Sequence, residues 1–381
     1  METAKSTFEF IRSLFRQQAA FIPLHAPSFN GNEKAYLNEC IDSTYVSSVG
    51  PFVDRFEEWI RNYTGAKYAI AIVNGTSALH LALQLAGVKR GELVVTQALS
   101  FIATCNAISY LGAEPVFVDV DRKTLGLSAS ALSDFFRQCE TTPAGCMHRP
   151  SGKRVAACVP MHTFGIAAEM DEIISLCNAF GVSVVEDAAE SLGTKWKGIH
   201  TGRFGHLGIY SFNGNKTVTC GGGGIIVTDD DRLGPLAKHI STQAKVPHRW
   251  DFVHDQIGYN YRCPNINAAL ALAQLEQLEK FIEDKRAIAR AYAEHFSQTE
   301  WEFIEVPENC SSNHWLNAVL FRSREERDAF LAASNDQGIM TRPAWELMHR
   351  LPMFSHCLHD GLRISSDIAD RLVNLPSSYR P

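Results

Sequence analysis

The chain has 381 residues, 45% hydrophobic and 20% charged, a composition that excludes disorder along most of its length. A formal charge of −6 argues against a general nucleic-acid binder, and no apolar run approaches the roughly 20 residues that a membrane span needs. The ten cysteines are scattered without a Cys-x-x-Cys pair. That argues against a zinc site, any other metal site or a disulfide framework, and for buried thiols in a reducing cytoplasm.

In chain order, Phe8–Phe21 is amphipathic, with Glu9, Arg12 and Arg16 interrupting any signal-peptide core. Residues 1–20 are therefore expected to form a helical extension. Tyr68–Val73 reads as a buried strand and Ser77–Ala86 as a helix. Leu93–Thr96, Phe101–Leu111 and Pro115–Val120 repeat the strand–helix–strand order, as do Val155–Met161, Met170–Phe180 and Val182–Glu186. Such alternation predicts an α/β fold, a mostly parallel sheet covered by helices, spanning residues 21–264. Leu207–Ser211 and Gly224–Thr228 are further strands around a Gly-rich loop. From Asn265 a helical pattern runs to about Phe296, and residues 265–381 are expected to form a linking helix and a smaller C-terminal α+β domain.

Ligands of parallel sheets bind at the carboxyl ends of strands. After Val73 comes Asn74-Gly75-Thr76-Ser77 and then a helix. Free amides, hydroxyls and the helix dipole there suit a phosphate or carboxylate, although an ordinary N-cap by Thr76 or Ser77 accounts for the same letters. Glu186-Asp187 ends a buried strand, where a carboxylate needs a cation or donors to stay ionised. It could bind a metal, act as a base, pair with a protonated heterocycle, or cap a helix. Lys216 lies between the Asn213-Gly214 turn and Gly221–Gly224. It precedes the glycines, which excludes the phosphate loop of nucleotide hydrolases, and no Gly-x-Gly-x-x-Gly follows the first strand. Anion cradle, strand-end carboxylate and loop lysine together are what pyridoxal 5′-phosphate requires.

With these words in place the sequence resembles the fold-type I pyridoxal-phosphate transferases, and among them the DegT-type nucleotide-sugar aminotransferases. The resemblance rests on Gly75-Thr76-Ser77-Ala78-Leu79, Glu186-Asp187-Ala188-Ala189-Glu190, Ser211-Phe212-Asn213-Gly214-Asn215-Lys216 and Gly258-Tyr259-Asn260-Tyr261-Arg262. It implies that Lys216 carries the covalent link to the cofactor and moves the proton, and that Asp187 pairs with the ring nitrogen. Gly75, Thr76, Ser77 and Ser211 would hold the phosphate, Phe101 would lie over the ring, and Glu190 would stand near the 3-oxygen. Asn260 would reach the site of a partner subunit, which implies a homodimer with shared sites. Tyr45 to Gly50, Met161-His162-Thr163-Phe164-Gly165 and Asn374 to Ser378 resemble the branch that aminates C4 of UDP-linked 4-keto-6-deoxy-N-acetylhexosamines on legionaminic acid or bacillosamine routes. The implied reaction moves an amino group from an amino-acid donor, glutamate by resemblance, to a nucleotide sugar. Ser47, Ser48, His162, Lys245, His248 and Arg249 are candidate substrate contacts. Trp315 and Trp345 are aromatics near the expected cleft of the C-terminal domain, with core packing the favoured reading. Amination at C3 or on another nucleotide carrier, and a non-catalytic cofactor-binding sensor, are the alternatives.

Overall fold

The computed structural model describes residues 2–17 and 20–381. Seven strands form the body of a nine-stranded sheet, in the order Tyr68–Ile72, Gly224–Thr228, Leu207–Ser211, Ser183–Asp187, Lys153–Val159, Leu93–Gln97 and Glu114–Val118. The four pairings from Leu207–Ser211 to Glu114–Val118 are parallel. Gly224–Thr228 is antiparallel to both of its neighbours, so it alone among the seven runs against the rest. The other six strands therefore end on one edge. A hairpin the periodicity did not signal, Cys139–Thr142 with Gly145–His148, extends the sheet beside the start of Lys153–Val159.

The strands are almost uninterrupted in burial because helices cover both faces. One face packs Ala69, Ala71, Tyr210, Ile225 and Val227 against Phe52, Phe56, Ile60, Leu272 and Leu275. The expected single helix from Asn265 is two, Asn265–Leu275 and Leu278–Phe296. The ladder stops at Glu276 and Gln277, where the Gln277 amide side chain turns to Glu33 and to the carbonyl of Ala273. Beyond it, Glu302–Phe303, Asn317–Leu320, Leu372–Leu375 and Arg342–Pro343 form an antiparallel four-stranded sheet.

The N-terminal amphipathic stretch is only partly helical: helix Glu2–Leu14 starts before Phe8 and ends well short of Phe21. Phe8 and Ile11 enter a core with Ile288, Tyr292, Phe296, Trp301 and Phe330. Gln18 and Ala19, part of the same expectation, lie outside the described residues. Among the described residues, no helix is long and apolar enough to cross a membrane.

Candidate active site

Three strand ends and one glycine make the floor of the site. Gly224 sits in register between Ile72 and Ser211, which brings the ends of two strands from distant parts of the chain side by side. A Cβ on Gly224 would stand 2.5 Å from the Asn74 backbone, and one on Gly75 would stand 2.9 Å from Ser211 Cβ. Only glycine at both positions lets the Asn74–Thr76 turn close onto Ser211. Helix Gly75–Leu85 starts at that turn, capped by Asn74, whose Oδ1 accepts from the Ser77 amide at 2.8 Å. The cap is thus Asn74 and not Thr76 or Ser77. The Gly75 and Thr76 amides, ahead of the helical ladder, and the Thr76 hydroxyl stay available for an anion.

These groups open onto a cavity of about 280 Å³, whose lining includes Gly75, Thr76, Phe101, Asp187, Glu190, Ser211 and Lys216. Asp187 is buried at the end of its strand; its Oδ2 accepts from Thr104 Oγ1 at 2.6 Å and its Oδ1 from the Ala189 amide at 3.2 Å. Lys216 stands on a loop that closes on itself, with Phe212 bonded to Gly223 and Cys220 bonded to Phe212 through the backbone. Its ammonium lies 3.2 Å from Glu190 Oε1 and 4.0 Å from the centre of the Trp315 ring. Glu190 Oε2 accepts from the Phe164 amide at 2.9 Å. Burial pushes the Glu190 carboxyl up to about 7, with Lys216 and the Phe164 amide pulling the other way.

Two walls of the cavity are aromatics that the sequence puts near the expected cleft but favours as core. Trp315 and Trp345, read as core, both line it. The Trp315 indole donates to the carbonyl of Asn215 at 2.7 Å and so braces the lysine loop. Trp345 approaches Phe101, with ring centres 6.2 Å apart. Both come from beyond residue 300, and no local pattern ties them to Lys216; the fold does.

Other candidates lie elsewhere. His162 is fully buried, with Nε2 3.1 Å from Glu186 and Nδ1 accepting from the Ala168 amide. Both ring nitrogens are engaged inside the protein, so the expected substrate contact is replaced by a structural one. Glu186 also accepts from the amides of Gly202, Phe204 and Gly205, pinning the loop beneath the sheet edge. Ser77 is not among the lining residues. Ser47 and Ser48 precede helix Pro51–Thr64, where the Ser47 carbonyl accepts from the Asn265 amide at 2.6 Å. Lys245, His248 and Arg249 sit on an exposed hairpin, and Asn260, also exposed, accepts from Arg262 outside its own chain's cavity. A wider groove of about 680 Å³ along Arg122, Phe296 and Glu302 contains none of the candidates.

The donor set fits pyridoxal 5′-phosphate. A phosphate needs the amides and hydroxyls of Gly75, Thr76 and Ser211, a ring nitrogen needs the buried Asp187, and an aldehyde needs Lys216. Placed at the carboxyl edge of a mostly parallel sheet, they define a fold-type I pyridoxal-phosphate transferase.

Residues 27–380 match the DegT/DnrJ/EryC1/StrS aminotransferase family. The chain is 38% identical over 357 residues to a GDP-perosamine synthase of Escherichia coli O157:H7, covering 94% of this chain and 93% of that one. It is 34% identical over 360 residues to the GDP-perosamine synthase of Caulobacter vibrioides, covering 93% of each. A crystal structure of a DegT/DnrJ/EryC1/StrS aminotransferase from Brucella abortus superposes with a TM-score of 0.83 at 28% identity, over 91% of this chain and 90% of that one. The chain belongs to the DegT/DnrJ/EryC1/StrS family, and it is an aminotransferase dependent on pyridoxal 5′-phosphate.

Proposed function

We propose that this enzyme carries an amino group from glutamate to the C4 keto group of a nucleotide-linked 4-keto-6-deoxyhexose. The observation that carries this reading is the single cavity in which Lys216, Asp187, Glu190, Ser211 and Thr76 meet. Bound there, pyridoxal 5′-phosphate supplies an aldehyde that takes up the amino group and a ring that withdraws electrons. Thr76, Ser211 and the Gly75 and Thr76 amides hold the phosphate. Ser77, expected among the cofactor contacts, stays outside the cavity with its amide engaged by Asn74. With the cofactor bound, Asp187 would pair with the ring nitrogen, Phe101 would wall the ring, and Glu190 would be the polar residue near it. Lys216 would hold the cofactor and, when free, move the proton at its Nζ in each half of the reaction. Trp315 and Glu190 give the freed ammonium a resting place.

For the nucleotide carrier, the GDP-perosamine synthases at 38% and 34% identity support GDP. The Tyr45 to Gly50 and Met161 to Gly165 words support the UDP-linked N-acetylhexosamine as a second reading. The reading includes a homodimer with shared sites. Tyr45, Val46, Val49, Trp250, Phe252 and Ile257 are large apolar side chains left exposed on the single chain, which supports a covered interface. Lys245 and Arg249, on the same hairpin as Trp250 and Phe252, are cations suited to a diphosphate in the partner's site, with His248 between them as a polar contact. A cytoplasmic enzyme accords with thiols of which nine in ten are buried.

Borohydride reduction followed by peptide mapping tests the core of the proposal. The adduct is expected on Lys216, and Lys216→Ala should still take up cofactor while losing about 10²–10⁴ in rate. An adduct on another lysine would overturn the assignment. GDP- and UDP-linked 4-keto and 3-keto sugars offered side by side, with product analysis, decide carrier and carbon.

A further inference from the structure

Asp187 reaches its place through a neighbour that never meets the cavity. Thr104 is fully buried, absent from the cavity lining, and donates to Asp187 Oδ2 at 2.6 Å. A hydroxyl bonded to a carboxylate at that distance is a short, charge-assisted hydrogen bond. A threonine within a helix can return its hydroxyl to the carbonyl four residues back; here the bond goes across to the sheet. Thr104 has one proton, and Asp187 receives it. Ser100 Oγ, itself buried, lies 3.1 Å from Thr104 Oγ1, 3.2 Å from the Phe101 carbonyl and 3.1 Å from Met161 Sδ, three acceptors for its one proton. The Thr104 proton, by contrast, points to the carboxylate. The same turn that starts helix Ile102–Tyr110 puts Phe101 into the cavity and Thr104 behind Asp187.

We propose that Thr104 is a positioning residue whose donated hydrogen bond holds the Asp187 carboxylate against the cofactor's ring nitrogen. This rests on the role given to Asp187 above. Without the hydroxyl the anion loses its best donor, and the proton shared between Asp187 and the ring nitrogen moves toward Asp187. The ring then carries less positive charge and withdraws electrons less. A less cationic ring also lets the link to Lys216 keep its proton to higher pH.

Thr104→Val preserves shape and removes the hydroxyl, and Thr104→Ser restores it. The measurements are the pH titration of the visible absorbance of the cofactor-loaded protein and the single-turnover rate with glutamate. Thr104→Val should bind pyridoxal 5′-phosphate, shift the titration midpoint upward, and slow the half-reaction about tenfold, the scale of one hydrogen bond to a charged group. KM for glutamate should stay within roughly twofold, and Thr104→Ser should return both readouts to wild type. A Thr104→Val protein with wild-type midpoint and rate would overturn the proposal, as would a Thr104→Ser protein that behaves like Thr104→Val. If Thr104→Val does not fold, Thr104→Ala carries the test: an upward shift of the midpoint supports the proposal, and none overturns it. A wild-type protein without a visible band would instead overturn the role of Lys216, a separable result.

Discussion

Glu190 shares a wall of the cavity with Lys216, and its burial gives the protein a pH dependence of defined sign. In the folded chain its carboxyl is raised from 4.5 to about 7, so between those values the folded state binds more protons than the unfolded one. Stability from this group is therefore lost as pH rises through that window and is flat above it. Glu190→Gln removes the titration. In the cofactor-free protein, urea midpoints at pH 5 and pH 8 should show the wild type falling behind Glu190→Gln, by on the order of 3 kcal/mol at most. A difference that stays constant with pH would show that Glu190 does not titrate there. At this scale the site was largely legible. Asp187 and Ser211 end strands and Thr76 and Lys216 follow them, and strand ends can be read from apolar runs. His162 also follows a strand, yet it turns inward to Glu186; position after a strand does not fix which way a side chain faces.

Among the elements, the main strands fall within about two residues of their apolar runs, because buried parallel strands leave few polar letters to blur them. The hairpin Cys139–His148 went unread. Its strands carry Glu140, Thr141, Thr142 and His148, and an edge hairpin needs no continuous apolar run. The break at Glu276–Gln277 was equally silent, since Leu275 and Leu278 preserve helical spacing across it. Helix Glu2–Leu14 offers an element-scale prediction. Ile11 is fully buried among Ile288, Tyr292 and Phe296, in a cluster that shares no residue with the cavity. Ile11→Ala should lower folding stability by about 2–5 kcal/mol, read from the denaturant midpoint, with KM unchanged where the protein is folded. A near-neutral midpoint would mean the helix is not anchored there.

For the whole molecule, the proposed dimer makes a prediction that a monomer cannot imitate. Chains carrying Lys216→Ala are mixed with chains in which Asn260 is replaced by Trp. If Asn260 serves the partner's site, each mixed dimer holds one site with both defects and one with none, and activity recovers to roughly a quarter of wild type after random exchange. If it serves its own site, confirmed subunit exchange restores nothing. The antiparallel strand Gly224–Thr228 has its own consequence for how the protein matures. The proposed phosphate cradle joins the Asn74–Thr76 turn to Ser211, which become neighbours only when Tyr68–Ile72 docks onto Gly224–Thr228. Contacts between distant parts of a chain form slowly, because the intervening loop must close first. Cofactor therefore has no cradle on a nascent chain that ends before Ser211. It acts as a ligand of the finished fold, raising stability by mass action without templating the early steps of folding.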